Sequence, residues 1–382
     1  MLFCTSLIHV TENVAESIIC SNMGRTPPEN QRENFVELMQ NNLKDDLEHI
    51  FHHTQSLWED LRGQRLFITG GTGFFGCWLL ESFLWANDKL KLNAEAHILA
   101  RNPSVLQKKT PHIADHPSVH LHAGDVRSFA FPEGEFSHII HAATEASASL
   151  NNENPFLMLD TIVEGTRHTL EFARYCGARK FLLTSSGAVY GKQPADITKV
   201  SEEYAGAPDV QNPGSAYGEG KRIAELLCAI HAKRYETEIK IARCFAFVGP
   251  YLPTDTHFAI GNFIRDGLNG GIIQINGDGT PYRSYMYAAD LAIWLWTILI
   301  RGANCRAYNV GSDNDLTIAE LARTVAGCFD PPAPVKIIGK SVPGRPVERY
   351  IPSTRRIRDE LDVTETVDLK TAIRKTIQWH LS

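Results

Sequence analysis

The 382-residue sequence is 43% hydrophobic and 21% charged, and its formal net charge is −6. This composition is typical of a globular protein with a large core, and without a basic excess we expect no nucleic-acid partner. The longest apolar run, residues 291–300, is shorter than the about 20 residues that span a bilayer, so we expect no membrane association. The eight cysteines show no C-x-x-C spacing. This argues against a zinc site and fits reduced thiols in a cytoplasmic protein.

The first sixty residues carry no recognisable motif. Residues 1 to about 30 have weak periodicity and are expected to be poorly ordered, whereas residues 33–61 place apolar side chains at helical spacing. We expect this helical segment either to pack on the main domain or to form an oligomer contact.

A glycine-rich turn at residues 70–76 follows a short apolar run and precedes a helical pattern. Strand, glycine turn and helix in this order hold a dinucleotide pyrophosphate, because glycines admit the phosphates and the helix N-terminus offers free N–H groups. The turn matches G-x-G-x-x-G from Gly71, and also G-x-x-G-x-x-G through Gly70, Gly73 and Gly76. The motif alone is common, but its position between a strand and a helix indicates nucleotide binding.

Strand and helix patterns alternate from residue 65 onward. Strands are predicted at 66–69, 96–100, 119–122, 137–141, 180–184 and 239–243. A helix at 156–176 is closed by Gly177, and a helix at 288–300 and a strand at 307–310 return to the sheet. This alternation predicts an α/β fold with a Rossmann-like, doubly wound parallel sheet. Polar residues after strands one, four, five and six should then meet in one crevice.

Prolines, glycines and short segments dominate from about residue 250 to 290 and from 330 to 352. We therefore predict a smaller, discontinuous C-terminal substrate domain, residues 248–286 and 313–382. Residues 63–247, with 287–312, form the nucleotide-binding domain, and residues 1–62 form an N-terminal extension.

Tyr217 and Lys221 form a Tyr-x-x-x-Lys pair at the start of a predicted helix. Their spacing puts both side chains on one face, where the ammonium group would favour the phenolate and lower a pKa that is ordinarily near 10. Such a pair can exchange a proton with an alcohol that is oxidised to a ketone and reduced again. The alternative is a chance pair on an exposed helix.

Ser185 and Ser186 directly follow predicted strand five. A hydroxyl at the carboxyl end of a strand can hydrogen-bond a reacting oxygen. The alternative is an ordinary Ser-Gly turn.

In combination, the glycine turn, the serine after strand five and the Tyr-x-x-x-Lys pair resemble the extended short-chain dehydrogenase/reductase superfamily. Within it, the sequence resembles the NAD-dependent nucleotide-sugar epimerase/dehydratase family from about residue 63 to the C-terminus. Further matching motifs are Gly124-Asp125-Val126, His141-Ala142-Ala143, Thr184-Ser185-Ser186 with Val189-Tyr190-Gly191, Arg243-Cys244-Phe245, and Gly277-Asp278-Gly279 followed by Arg283. The resemblance implies NAD as cofactor, a nucleotide-diphosphate sugar as substrate, a homodimer and a role in polysaccharide biosynthesis.

The resemblance also implies residue roles. Tyr217 would be the catalytic acid or base, Lys221 would lower its pKa and hold the nicotinamide ribose, and Ser186 would orient the sugar hydroxyl. Asp125 would meet the adenine ring. The cofactor-binding residues would be Gly70, Gly73, Phe74, Phe75, Gly76, Arg101, Asp125, Val126, Ala142, Ala143, Thr184, Tyr217 and Lys221. The substrate-binding residues would be Ser186, Asn262, Arg283 and Arg345, the last three on the diphosphate. No metal is expected.

The sequence departs from the family pattern in three places. Arg101 stands where NAD-binding members carry an acidic residue, so it would face the 2′-phosphate of NADP or stack on adenine; we expect NAD, with NADP as the alternative. Gly187-Ala188 replaces the Asp-Glu pair of the 4,6-dehydratases, and glucuronate decarboxylases also carry a glutamate at position 188. Ala246 replaces a usual asparagine, which could change substrate contacts.

We therefore expect an epimerase that transiently oxidises a sugar hydroxyl. The alternative is an NADPH-dependent reductase of a 4-keto sugar nucleotide. A 4,6-dehydratase is disfavoured, and a non-catalytic nucleotide-sensing protein is a remote alternative.

Overall fold

The computed structural model describes residues 43–144, 148–255, 258–342, 344 and 346–382. The expected poorly ordered start and the first part of the predicted helix at 33–61 lie outside the described residues. Residues 44–382 form one compact unit.

The strands are β1 Arg65–Thr69, β2 Glu95–Ala100, β3 Val119–Ala123, β4 His138–His141, β5 Lys180–Ser186, β6 Glu238–Cys244, β7 Phe247–Val248, β8 Ile273–Ile275, β9 Tyr282–Arg283, β10 Met286–Tyr287, β11 Arg306–Val310, β12 Leu316–Thr317, β13 Val335–Ile337 and β14 Arg349–Tyr350. The helices are α1 at 43–54, α2 Phe74–Leu90, α3 Ser104–Lys109, α4 Pro111–Ala114, α5 Ala148–Glu153, α6 Pro155–Tyr175, α7 Ala216–Arg234, α8 Ala259–Leu268, α9 Ala288–Arg301, α10 Ile318–Ala326, α11 Arg355–Leu361 and α12 Leu369–Leu381.

Seven strands form the central sheet, in the order β11-β6-β5-β4-β1-β2-β3. All six pairings between them are parallel, so the predicted doubly wound sheet is confirmed. The inner strands are buried because helices connect them on both faces, which explains their near-continuous apolar runs. Their carboxyl ends meet at one edge of the sheet, where the candidate site lies.

Strand β5 is longer than the sequence pattern predicted. Its ladder with β6 continues to the pair Ser186↔Cys244, so Ser185 and Ser186 are its last two residues and do not follow it. Polar residues here keep the extended conformation because the neighbouring strand supplies their backbone partners.

Helix α6 begins and ends where local sequence signals place it. The Asn154 side chain accepts a hydrogen bond from the Leu157 N–H at 3.1 Å, and Pro155 occupies the first turn, where no N–H is needed. Beyond its end, Gly177 has φ +69°, which matches the predicted glycine stop.

Helix α1 is held to the body by a buried carboxylate. Asp46, only 5% exposed, accepts hydrogen bonds from the Tyr287 hydroxyl at 2.6 Å and the Lys375 ammonium at 2.9 Å. A 3-10 turn, Gln55–Leu61, then leads into β1. Among the described residues no helix combines the length and apolarity that crossing a membrane would require.

The C-terminal segments form three small sheets, β10-β7, β12-β9-β14 and β13-β8. The parallel pair β14-β9 sets Tyr350 opposite Arg283. The proposed division into a nucleotide-binding and a substrate domain stays a prediction.

Candidate active site

The glycine turn between β1 and α2 is too tight for side chains. Gly70 has φ +77°, and a Cβ there would lie 2.4 Å from the Ala142 carbonyl oxygen. A Cβ at Gly76 would lie 2.4 Å from the Gly71 Cα. Gly73 is the N-cap residue of α2 and has no side chain that could cap the helix. The first N–H groups of the helix are therefore open to an anion. This cradle fits the pyrophosphate of a dinucleotide.

The end of β4 lies against the turn. The Thr69 hydroxyl is 2.9 Å from His141 Nδ1 and accepts the Ala143 N–H at 3.2 Å. Burial lowers the pKa of His141 to about 3, so this imidazole is neutral. The segment Ala142-Ala143 is thereby held beside Gly70, as the sequence analysis expected for a shared crevice.

Asp125, expected at the adenine ring, is paired within the chain. Its carboxylate accepts hydrogen bonds from Arg127 Nε at 2.9 Å and a terminal guanidinium nitrogen at 2.8 Å, and these bonds lower its pKa to about 2. The positive charge of Arg101 also lowers the Asp125 pKa, so the two side chains lie within electrostatic range of each other. Val126 is 7% exposed and belongs to the apolar core.

Tyr217 and Lys221 lie one turn apart near the start of α7. The Asn151 side chain accepts the Tyr217 N–H at 3.0 Å and thereby fixes the helix start. Lys221 is 3% exposed, and its ammonium donates to the Thr184 carbonyl at 2.8 Å and the Thr144 hydroxyl at 3.0 Å. Its Nζ lies 5.9 Å from the centre of the Tyr217 ring, so the predicted juxtaposition is present.

The expected lowering of the Tyr217 pKa by Lys221 is not found in the protein by itself. Burial raises the pKa of Tyr217 to about 12, and the opposing contribution is a hydrogen bond with Ser186. Burial also lowers the pKa of Lys221 to about 8, since the ammonium has lost most of its water. Desolvation therefore outweighs the attraction between phenolate and ammonium that the spacing suggested.

A second phenol, which the sequence analysis missed, completes the site. A hydrogen bond with Ser186 lowers the pKa of Tyr350, but burial outweighs it and raises this pKa above the usual range, so the phenol is neutral. Its hydroxyl lies 2.7 Å from where a Cβ of Gly187 would be. The only sequence signal was an aromatic residue a few positions after Arg345. The pairing of β14 with β9, which brings it here, is long-range.

The donors and acceptors around Ser186 define a hydrogen-bonded chain. Ser186 Oγ accepts the Ala188 N–H at 3.1 Å and has one further lone pair and one proton. If Tyr350 donates to that lone pair, the Ser186 proton is left for the Tyr217 oxygen. This arrangement favours the Tyr217 phenolate, because a hydrogen bond to the charged form lowers a pKa.

The remaining predicted residues occupy varied positions. Phe74 and Phe75 open α2, and the Phe75 ring packs edge-on to Phe247 at 5.2 Å. Thr184 donates to the His141 carbonyl at 3.2 Å, which joins β5 to β4 at the crevice. Arg283 lies opposite Tyr350 in the β9-β14 register, and its positive charge acts to lower the pKa of the Tyr350 phenol.

Asn262 and Arg345 were the other predicted diphosphate ligands. Asn262 lies in the first turn of α8, where its N–H donates to the Phe258 carbonyl at 3.1 Å. Arg345 lies outside the described residues. Their roles stay predictions.

An ion pair lies beside the carboxyl end of β5 and hydrogen-bonds the Ser185 side chain. Arg243 and Glu225 form a bidentate pair, with 2.7 Å between the closest atoms, and the Ser185 hydroxyl donates to the same carboxylate at 2.5 Å. Arg243 also donates to the Tyr190 hydroxyl at 2.9 Å. The net stability that such a partly buried pair contributes is small, because desolvation offsets much of its attraction.

Comparison with known proteins places this arrangement in a known group. Residues 66–311 match the family described as the NAD dependent epimerase/dehydratase family. UDP-glucuronic acid decarboxylase 6 of Arabidopsis thaliana is 32% identical over 285 residues, which covers 75% of this chain and 80% of the relative. UDP-glucuronic acid decarboxylase 1 of Xenopus tropicalis is 28% identical over 317 residues, covering 83% and 72%.

Solved structures share the fold. A UDP-N-acetylglucosamine 4-epimerase from Methanobrevibacter ruminantium superposes with a TM-score of 0.72 at 20% identity, covering 83% of this chain and 98% of the other. A dTDP-glucose 4,6-dehydratase from Bacillus anthracis, in complex with NAD, gives 0.68 at 20% identity, covering 83% and 96%. The family match and the decarboxylase relatives lead to one conclusion: the chain belongs to the NAD dependent epimerase/dehydratase family.

Proposed function

We propose that the protein is an NAD-dependent epimerase of nucleotide-diphosphate sugars. The observation that carries this proposal is the chemistry at positions 187 and 188. A Cβ on Gly187 would lie 2.7 Å from both the Phe245 ring and the Tyr350 hydroxyl, so no carboxylate side chain fits there. Ala188 offers no titratable group. The site can exchange a hydroxyl proton, but it has no second acid or base for an elimination at these positions.

The chain's own residues account for the proton movements of such a reaction. The Tyr217 oxygen accepts the proton of a sugar hydroxyl and later returns it, with Ser186 hydrogen-bonded to the same phenol. NAD, when bound, supplies reversible hydride acceptance. Lys221, anchored on the Thr184 carbonyl, places a positive charge one helical turn from the phenol. Arg283, next to Tyr350, offers a guanidinium group for the substrate diphosphate.

Decarboxylation of a nucleotide-linked uronic acid is the second candidate. The similarity to UDP-glucuronic acid decarboxylases over three quarters of the chain favours it. The alanine at position 188 argues against it, because the decarboxylases that the sequence resembles carry a glutamate there. Reduction of a 4-keto sugar with NADPH is favoured only by Arg101 at the end of β2.

The test is a set of reactions on nucleotide sugars with different bases and with hexose or uronic acid groups, run in deuterated water and analysed by NMR. An epimerase returns an epimer with no net change in nicotinamide absorbance, no CO2 and no deuterium at the inverted carbon, because the hydride never leaves the site. CO2 with a pentose product would establish the decarboxylase. Stoichiometric loss of NADPH would establish the reductase.

A further inference from the structure

A cluster of imidazole and carboxylate groups lies at the opposite end of the sheet from the candidate site. Glu95 and His97 are two residues apart near the start of β2, so they project from the same face. The register pairs His97 with His120 of β3 and thus brings His120 to that face. The Glu95 carboxylate and one ring nitrogen of each histidine all lie within 4.8 Å of one another.

The separations of these atoms suit a small cation. Glu95 Oε2 is 3.3 Å from His97 Nε2 and 3.7 Å from His120 Nε2. Ligands bonded to zinc at about 2.0–2.2 Å in a tetrahedron lie about 3.3–3.6 Å apart. The two histidine rings are 4.6 Å apart between centres, with their planes tilted by 35°.

A third histidine lies within hydrogen-bonding distance of the other ring nitrogen of His97, and metal-bound histidines usually have such a partner. His97 Nδ1 lies 2.8 Å from His122 Nε2, so a proton on Nδ1 leaves a lone pair on Nε2, which lies beside Glu95 and accepts a hydrogen bond from Arg65 Nε at 3.3 Å.

His120 supplies an independent observation. Its Nε2 is buried and has no hydrogen-bond partner, although the rest of the side chain is 43% exposed. A buried ring nitrogen without a partner costs free energy, and a cation between it and Glu95 would relieve that cost.

Arg65 is the one cation that contacts the cluster among the described residues. Its Nε is 3.3 Å from His97 Nε2 and 3.5 Å from Glu95 Oε2, and its guanidinium carbon lies 4.2 Å from the centre of the Phe136 ring. These contacts leave His120 Nε2 without a partner, so Arg65 only partly satisfies the cluster.

We propose that Glu95, His97 and His120 bind a divalent cation of the zinc class, with His122 orienting His97. Two imidazoles and one carboxylate with an open fourth position are a common zinc ligand set. The ion would tie the edge strand β3 to β2, far along the strands from the crevice, so its role is stabilising. No metal was expected from the sequence, because the cysteine spacing indicates no zinc site and does not show which histidines neighbouring strands bring together.

The test measures zinc binding by the untagged full-length protein after treatment with a chelator. We expect one equivalent of Zn2+ to bind and to raise the melting temperature. His120→Gln and Glu95→Gln should each weaken binding at least about tenfold, and His122→Gln should weaken it by about ten- to hundredfold. His116→Gln is the matched control: its imidazole lies 3.2 Å from Asp88 and accepts the Ser118 N–H, and it does not belong to the cluster, so the variant should bind zinc like the wild type.

Cobalt substitution gives a second readout, because a tetrahedral site with nitrogen and oxygen ligands has a characteristic visible spectrum. Wild-type protein and His116→Gln should show it, and His120→Gln should not. No stoichiometric zinc binding, or binding that His120→Gln and Glu95→Gln leave unchanged, would overturn the proposal. Melting temperatures without metal identify a variant that fails to fold, and His120→Gln, at a half-exposed position, decides the matter if Glu95→Gln does not fold.

Discussion

Tyr217 is the residue on which the proposed chemistry depends. Its pKa of about 12 means that the phenol is neutral in the protein by itself, so it must be activated where it meets the substrate. We expect Tyr217→Phe to lower kcat by about 10²- to 10⁴-fold, because the variant lacks the hydroxyl that is proposed to accept the proton, with NAD affinity largely kept. Turnover assays and calorimetry would check this. Tyr235→Phe, at the exposed far end of α7, is the control. Near-normal turnover of Tyr217→Phe would remove Tyr217 from its role.

We expect Tyr350 to act through Ser186. If Tyr350 donates to Ser186, removing its hydroxyl in Tyr350→Phe takes that donor away and weakens the support for a Tyr217 phenolate, so the Tyr217 pKa should rise. The rising limb of the pH–rate profile should then move to higher pH by about one unit, and kcat near neutrality should fall about tenfold.

The control for this prediction is Tyr282→Phe, whose ring lies on neighbouring β9 under Arg349. A loss of activity without a shift of the pH profile would show that Tyr350 serves packing alone.

At the scale of elements, the glycine turn couples fold and cofactor binding. In Gly76→Ala the new Cβ would lie 2.4 Å from the Gly71 Cα and 2.5 Å from the Gly70 carbonyl oxygen, both backbone atoms that cannot move aside. The turn must open, and we expect NAD affinity to fall at least about tenfold with a lower melting temperature. Gly327→Ala, whose Cβ would meet its nearest neighbour at 3.4 Å, controls for a glycine change elsewhere. Unchanged NAD affinity in Gly76→Ala would contradict the assignment.

Elements built on local signals were predictable from the sequence. The strand at 180–184 and the stop at Gly177 follow from apolar runs and glycine conformation, and both are present. The position of Ser186 inside β5 was not predictable, because it depends on pairing with Cys244 of another strand. Tyr350 was not predicted as a site residue for the same reason: its place opposite Arg283 depends on a contact between segments that are distant in the sequence. Sequence patterns report local periodicity, whereas the site is completed by long-range pairing.

For the molecule as a whole, burying the ammonium group of Lys221 lowers the free energy of unfolding, although the proposed reaction needs this group. The Lys221 pKa is lowered from 10.5 to about 8, so between these values the unfolded chain binds more protons than the native one. Stability therefore rises with pH across this window. A full shift of this size corresponds to a cost of about 3 kcal/mol at pH 7, falling to about 1 kcal/mol near pH 9.5. This loss of stability is the consequence of holding an ammonium group beside Tyr217.

Lys221→Met should remove that slope together with the activity. In urea unfolding without added nucleotide, wild-type protein should gain about 2 kcal/mol relative to the variant between about pH 7 and pH 9.5. The hydrogen bonds to Thr184 and Thr144 are lost equally at both pH values, so they cancel in this comparison. Lys89→Met, at a lysine whose side chain is 42% exposed, should run parallel to the wild type. Parallel curves for Lys221→Met and wild type would show that the native protein does not hold Lys221 as a desolvated charge, and its proposed electrostatic role would fail with that result.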